Sequence, residues 1–372
     1  MELAADEEGR LDLGGAAPHT GASISYWGPM RKSVLSIAFC AVVASASGSF
    51  AAAPERAPII DVHVHAMRAD DQGPPPLAMC VPMNPMPTWD PGRPVMENFI
   101  APFKQPPCKD PIWSPLTDDE VMTRSIKVMD AYNVYGVTSG PQAILAKWRQ
   151  ASPKRIIPSL MPDFPLKDGL ADELARAKAS GNLVVIGELG FQYDGVAVND
   201  PALEALWSAA EKNDIPVAIH FGPGPPGVAY LPGSGYRARL SSPLLLEDVL
   251  VKHPGLRVNV MHAGYPMLDD TLALLYAHPQ VYVDTGVIVF TQPRPAFYAY
   301  LKALVDAGFG KRIMFGSDQM VWPEAMERSI KVIEQAPFLT PEQKRDIFYN
   351  NASRFLRIDP AGINKAAPKP AR

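Results

Sequence analysis

Asp61, His63 and His65 lie inside the apolar run Ile59-Ile60-Asp61-Val62-His63-Val64-His65-Ala66. A strand alternates its faces, so residues two apart point the same way. Two imidazoles on one stiff strand, with Asp61 in the same row, can chelate a metal. They can equally be ordinary polar residues on a solvated face. The placement of the chain's seven histidines separates these readings. His63 and His65 end one strand-like run, His220 ends "PVAIH" and His262 ends "RVNVMH". Asp318 ends "RIMFGSD", and Glu188 lies near the end of "VVIGELG". His253 and His278 instead precede prolines at helix ends, where a cation complements the helix dipole. His19 falls in a leader segment. Taken singly, each strand-end histidine is an ordinary satisfied polar group, Glu188 a partner for an arginine, and Asp318 a turn cap. Four histidines all at strand ends make those separate explanations improbable together. A buried unpaired carboxylate is costly, and a central cation removes that cost. His63, His65, Glu188, His220, His262 and Asp318 are therefore the candidate ligands. Such nitrogen and oxygen donors suit zinc first, then manganese or another first-row divalent ion.

These side chains must be brought together by the elements that carry them. After "APIIDVHVH" comes a loop from about Met67 to Pro115, with thirteen prolines between Pro74 and Pro115. It is expected to hold no regular structure, and a loop this long usually serves as a lid or a binding element. Thr117-Asp118-Asp119-Glu120 then reads as a capping box opening a helix through Tyr132. From there short β-branched runs alternate with helical patterns. Strands are expected at Ile59–His65, Val134–Thr138, Ile156–Met161, Leu183–Leu189, Pro216–Phe221, Arg257–His262, Val281–Thr285 and Arg312–Ser317. Strand and helix in alternation argue for parallel strands with helices outside. Eight near-equivalent units fit an α/β fold of the (β/α)8 TIM-barrel type, with the long Pro-rich loop after strand 1. A doubly wound open sheet is the alternative. A barrel places its active site at the C-terminal ends of its strands, where the six candidates fall.

The chain has 372 residues, 47% of them hydrophobic, and a formal net charge of −4. That suffices for a sizeable core. With no basic run, nucleic-acid or anionic-membrane binding has no compositional support. From Met30 the chain reads "MRKSVLSIAFCAVVASASGSFAAAPERAP". A positive start, a short apolar stretch and small residues form the layout of a secretory signal peptide over 30–53, with cleavage expected after Ala51. The stretch is too short to span a bilayer comfortably, so no stable membrane insertion follows its removal. Residues 1–29 read as a mis-assigned start or a disordered extension, 54–360 as the catalytic domain, and 361–372 as a disordered tail. The mature protein is then periplasmic or secreted. Export leaves two cysteines, Cys80 and Cys108. In an oxidising compartment they invite a disulfide, with two unpaired thiols as the alternative.

The stretches "DVHVH" (61–65), "AIHFG" (218–222), "NVMHAGYP" (259–266), "VYVDTG" (281–286) and "MFGSDQM" (314–320) resemble the amidohydrolase superfamily, in its amidohydrolase-related branch. The C-terminal "IFYNNASRFLRI" (347–358) resembles that branch's closing element, so the likeness covers roughly 57–358. The resemblance implies His63 and His65 as first-strand ligands and His220 as the fifth-strand ligand. It implies His262 as a second-metal ligand or carbonyl polariser, and Asp318 as a ligand that shuttles protons. Glu188 in "IGELG" is similar to a glutamate that bridges two metals in some relatives, whereas mononuclear relatives lack a bridge. Asp61 corresponds to an aspartate that supports the paired histidines. One or two metals per chain are implied.

The chemistry expected is attack of a metal-activated water on a carbonyl, with Asp318 and His262 as the catalytic side chains. The substrate is a small molecule, and homo-oligomerisation is left open. The Pro-rich loop, with Met67, Arg68 and Trp89, and the segment 221–240 are the expected recognition elements. Arg68, Arg237 and Arg239 are candidates to hold a substrate carboxylate, or else solvated loop cations. The glycines of 221–240 do not precede a helix as a nucleotide loop requires. Hydrolysis of a lactone, ester or amide is the first expectation, and non-oxidative decarboxylation of an aromatic or unsaturated acid the second. A non-catalytic binding protein and a phosphodiesterase or deoxyribonuclease are weaker rivals.

Overall fold

The computed structural model describes residues 56–362. The leader over 1–53 lies outside the described residues, as does the tail beyond 362. Eight parallel strands succeed one another in space as in sequence: β1 (Ile59–His65), β2 (Val134–Ser139), β3 (Ile156–Leu160), β4 (Val185–Leu189), β5 (Val217–His220), β6 (Val258–Met261), β7 (Val281–Asp284) and β8 (Ile313–Met314). Parallel neighbours need a crossover, and helices supply it between successive strands. The first crossover helix, Asp118–Tyr132, is capped by Thr117, whose hydroxyl accepts from Glu120 N–H at 3.3 Å. Val62 N–H donates to Phe315 O at 2.9 Å and Asp318 N–H to His63 O at 2.8 Å, joining β8 back to β1. The fold is the expected TIM barrel.

Strand β1 is buried along its whole length, as a strand between barrel interior and outer helices must be. Ile60, Val62, Val137, Val185 and Met314 pack with Tyr349 and Phe355 of the C-terminal helical segment, which plugs one end of the barrel. Each such fully buried side chain contributes about 1.5–3 kcal/mol by leaving water. The histidines therefore open at the other end, above a solid floor.

Simple alternation does not hold along β1. The register against β2 shifts between Asp61 and Val64, and an irregularity of that kind re-aims side chains. Asp61 does not share the histidines' row. Its Oδ1 instead accepts from the N–H groups of His63 at 3.0 Å and Ser317 at 2.9 Å.

The long loop also departs from expectation. It carries a helix at Val95–Lys104 and a two-stranded antiparallel piece pairing Ala78–Met79 with Ile112–Trp113. No proline interrupts 95–101, and that gap is enough for two turns. Cys80 and Cys108 are joined in a disulfide, with Cα atoms 5.8 Å apart, tying the two arms of the loop. Strand β8 is shorter than expected, because beyond Met314 the chain bonds to β1 and to side chains rather than to a ladder. Among the described residues no helix is long and apolar enough to cross a membrane.

Candidate metal centre

The six predicted ligands meet at the C-terminal end of the barrel. His63 Nε2 lies 3.2 Å from His65 Nε2. Glu188 Oε2 is 3.3 Å from the first and 3.1 Å from the second. Asp318 Oδ1 is 3.6 Å and 3.1 Å from the same two nitrogens. Four donors on a tetrahedron with bonds of 2.0–2.1 Å are spaced by roughly 3.4 Å, so the set fits a zinc-sized cation. The other oxygen, Glu188 Oε1, stands 3.3 Å from His262 Nε2 and 3.9 Å from His220 Nε2. Glu188 thus divides its oxygens between two histidine pairs.

Charge points the same way. Burial pushes the His65 imidazole down, but Asp318 and Glu188 outweigh it and lift its pKa to about 9. His63 is opposed by burial too, yet Asp318, Glu188 and Asp284 hold it well above its ordinary value. Glu188 and Asp318, despite burial, are held below the usual carboxylate range by these imidazoles. Two imidazolium nitrogens 3.2 Å apart repel, and one divalent cation in their place removes the repulsion while keeping both carboxylates paired. His220 behaves oppositely: burial, with His262 beside it, holds it at about 3, so it is neutral and ready to ligate.

The outer shell fixes these rings, as ligating histidines require. His262 Nδ1 lies 3.0 Å from the Gly286 carbonyl, which leaves Nε2 facing Glu188. Ser139 Oγ is 3.3 Å from His65 Nδ1. Gln319 clamps the His65 backbone, its Nε2 donating to the carbonyl at 2.7 Å and its Oε1 accepting from N–H at 3.1 Å. Gln192 Nε2 donates to the His220 carbonyl at 2.8 Å and also touches His220 Nδ1. Asp61 holds the backbone beside the centre at His63 and Ser317; burial lifts its pKa to about 7 against the Ser317 hydrogen bonds.

Asp284, at the end of β7, is a site residue that the reading of strand ends passed over. It is fully buried, with Oδ2 3.5 Å from His63 Nδ1 and accepting from Asn259 Nδ2 at 2.8 Å. Its Oδ1 accepts from the N–H groups of His262 and Gly286. One carboxylate therefore positions two candidate ligands. The signal was present: Asp284 closes a strand in "VYVDTG" as His220 and His262 close theirs. Gly286 is required here, because a Cβ on it would lie 2.5 Å from His63 Nδ1. Tyr193, after β4, is the other addition; its hydroxyl is 3.1 Å from His220 Nε2.

A cavity of about 590 Å³ opens above the centre, with His65, Glu188, His220, His262 and Asp318 at its base. The two predicted recognition elements meet over it: Trp89 and Tyr230 are in ring contact at 5.0 Å, and Pro226 and Met67 both line it. The three predicted arginines do not reach it. Arg68 pairs with Asp70 and Asp71, at 3.3 and 2.9 Å, with its side chain 57% exposed. Arg237 Nη1 donates to the Tyr236 carbonyl at 2.6 Å, and neither it nor Arg239 contributes to the lining. Short-range carboxylates hold Arg68, and a peptide carbonyl holds Arg237, on the surface.

A family model described as amidohydrolase matches residues 60–358. No curated protein matches the chain. Among solved structures, an uncharacterised TIM-barrel protein from Bordetella bronchiseptica is similar at 15% identity, over 81% of this chain and 99% of that one, with a TM-score of 0.53. A probable 2-pyrone-4,6-dicarboxylic acid hydrolase from Acinetobacter baumannii is similar at 17% identity, over 81% and 100%, with a TM-score of 0.52. A 2,6-dihydroxybenzoate decarboxylase from Rhizobium is similar at 16% identity, over 62% and 87%, with a TM-score of 0.46. At these identities the first two likenesses speak to the barrel alone, and no argument rests on the third.

Proposed function

The chain belongs to the amidohydrolase family, and from that premise we propose that it is a metal-dependent hydrolase of a lactone, ester or amide. The observation that carries this reading is Glu188, with one oxygen toward His63 and His65 and the other toward His262 and His220. That disposition suits two divalent ions sharing a carboxylate. His63, His65, Asp318 and Glu188 would hold the first, and Glu188, His220 and His262 the second. Zinc fits the donors best. Bound there, the metal supplies hydroxide at neutral pH by lowering the pKa of water from 15.7 to about 7.

The protein's own groups do the rest. Asp318, held below the ordinary carboxylate range and lining the cavity, accepts the proton released from water and returns it to the leaving group. Burial keeps the Tyr193 phenol protonated, so it can donate to the oxyanion that forms on the carbonyl. Export through the 30–53 leader is part of the proposal, and the disulfide supports it, since such bonds persist in oxidising compartments.

One observation favours the rival decarboxylase. His220 Nε2 is nearer to the Tyr193 hydroxyl, at 3.1 Å, than to Glu188, at 3.9 Å, which suits a single ion. Metal analysis, with a panel of esters, lactones, amides and aromatic acids, separates the two. About two equivalents of metal and hydrolysis of a neutral carbonyl support the first reading. Carbon dioxide release with about one equivalent would replace it.

A further inference from the structure

The ligands determine what reaction the centre runs; the wall above them determines what enters. Among the described residues, apart from the five groups at its base, the lining of the 590 Å³ cavity has no charged side chain, and no lysine or arginine. Five of the chain's fifteen methionines face it: Met67, Met79, Met83, Met86 and Met320. Phe103 and Trp322 join them, stacked at 6.0 Å with their planes 18° apart. The polar members away from the base, such as Gln72, Tyr265 and Gln292, are neutral. A second cavity of about 330 Å³ shares Met79, Met83, Met86 and Phe103, and among the described residues its lining is uncharged too.

Three physical consequences follow. A carboxylate lodged against this wall would lose its water and find no wall cation to pair with. Any countercharge for it would have to come from the centre at the base, not from the wall above. Methionine thioethers are polarisable and flexible, and they favour the faces and edges of rings of varied shape. A cavity of this volume lies within the range that encloses small organic ligands.

We infer that the centre takes uncharged, largely apolar carbonyl compounds, an aromatic or alicyclic ester, lactone or amide, and discriminates against those bearing a free carboxylate. The reaction part rests on the hydrolase reading; the substrate class rests on the Met67–Met86 wall. Neutral donors and acceptors at Gln72, Tyr193 and Gln292 match the ester or amide linkage, and the thioethers match the ring.

The test uses two probes with one ring system, neutral 2-acetonaphthone and anionic 2-naphthoate. Each is titrated calorimetrically into the full chain, as prepared and after removal of metal by chelation. The chelated protein reads the wall without a carboxylate–metal bond. There the ketone is expected to bind at least about tenfold tighter, and Met83→Leu to keep that preference. Met83→Arg, at a half-buried position that an arginine can occupy, is expected to reverse it. Equal or tighter binding of 2-naphthoate by the chelated wild type would overturn the inference. So would binding of neither probe, or a folded Met83→Arg protein with unchanged preference. A preference for the ketone without turnover of any ester would sink the hydrolase reading and leave the substrate class standing.

Discussion

The barrel mouth and the loop wall that faces it hold their side chains in place by different means. At the mouth, each candidate ligand leaves a strand end, and hydrogen bonds to its ring or to its backbone fix it. The backbone there is strained: His262 has φ 56° and Asp318 φ 52°, in the left-handed region. Such conformations cost about 1–3 kcal/mol each and persist where the surroundings over-determine them. Residues 67–115 instead present flexible thioethers from a segment organised by prolines, one short helix and a disulfide. The first region is rigid and polar, the second adaptable and apolar. Rigidity belongs where donor atoms must meet a cation within tenths of an ångström, adaptability where ligand shape varies. Changes at the mouth should therefore alter metal content and kcat, and changes in the wall should alter KM and stability.

The largest effect is expected from His63→Ala or Asp318→Asn. Either should lower kcat by about a thousandfold or more and reduce bound metal, while circular dichroism shows the barrel retained. Full turnover in both would break the division between regions. Asp284→Asn should weaken metal affinity by about 10–100-fold, read by chelator competition, because His63 and the His262 backbone lose one holder. An unchanged affinity would mean that Asp284 serves packing only.

The third expectation concerns pH. In the metal-free fold His65 keeps its proton to about 9, and His63 is held well above its ordinary value. Both exceed the unfolded histidine value near 6.5, so their contribution to metal-free stability is full below that pH and is lost as pH rises through about 9. Metal must displace these protons, so affinity should rise from pH 6.5 to about 9 and then level off. Competition titrations across that interval check the sign, and a flat profile would contradict it.

On the wall side, Cys80→Ser should cost about 3 kcal/mol of stability in denaturant unfolding, with metal content unchanged. The smallest effect is that of Tyr193→Phe, expected to lower kcat about tenfold with full metal occupancy. A drop in metal content instead would move Tyr193 from oxyanion donor to support for His220.

How much of this was legible in the sequence follows the same division. Polar residues ending apolar strands stand out, so His63, His65, His220, His262, Asp318 and Glu188 could be read from type and position. Asp284 ends its strand in the same way, but its role depends on contacts with His63 on β1 and with Asn259 on β6. Asp61 read as lying in the histidines' row, and its true direction was not legible, because the register shift that turns it is a tertiary feature. The helix at Val95–Lys104 was hidden by the density of prolines around it. The arginines misdirected the eye: a charge in a loop reads as a ligand partner, but Asp70 and Asp71 already pair with Arg68. A methionine wall leaves little trace, since methionine has no periodicity outside regular elements.

The central claim is that Glu188 joins two histidine pairs around divalent metal. Plasma mass spectrometry of the native full chain beside Glu188→Gln tests it most directly. The account predicts about two equivalents in the native protein and one or fewer in the variant, with activity falling in step. About one equivalent or less in active native protein, or about two retained by Glu188→Gln, would contradict it.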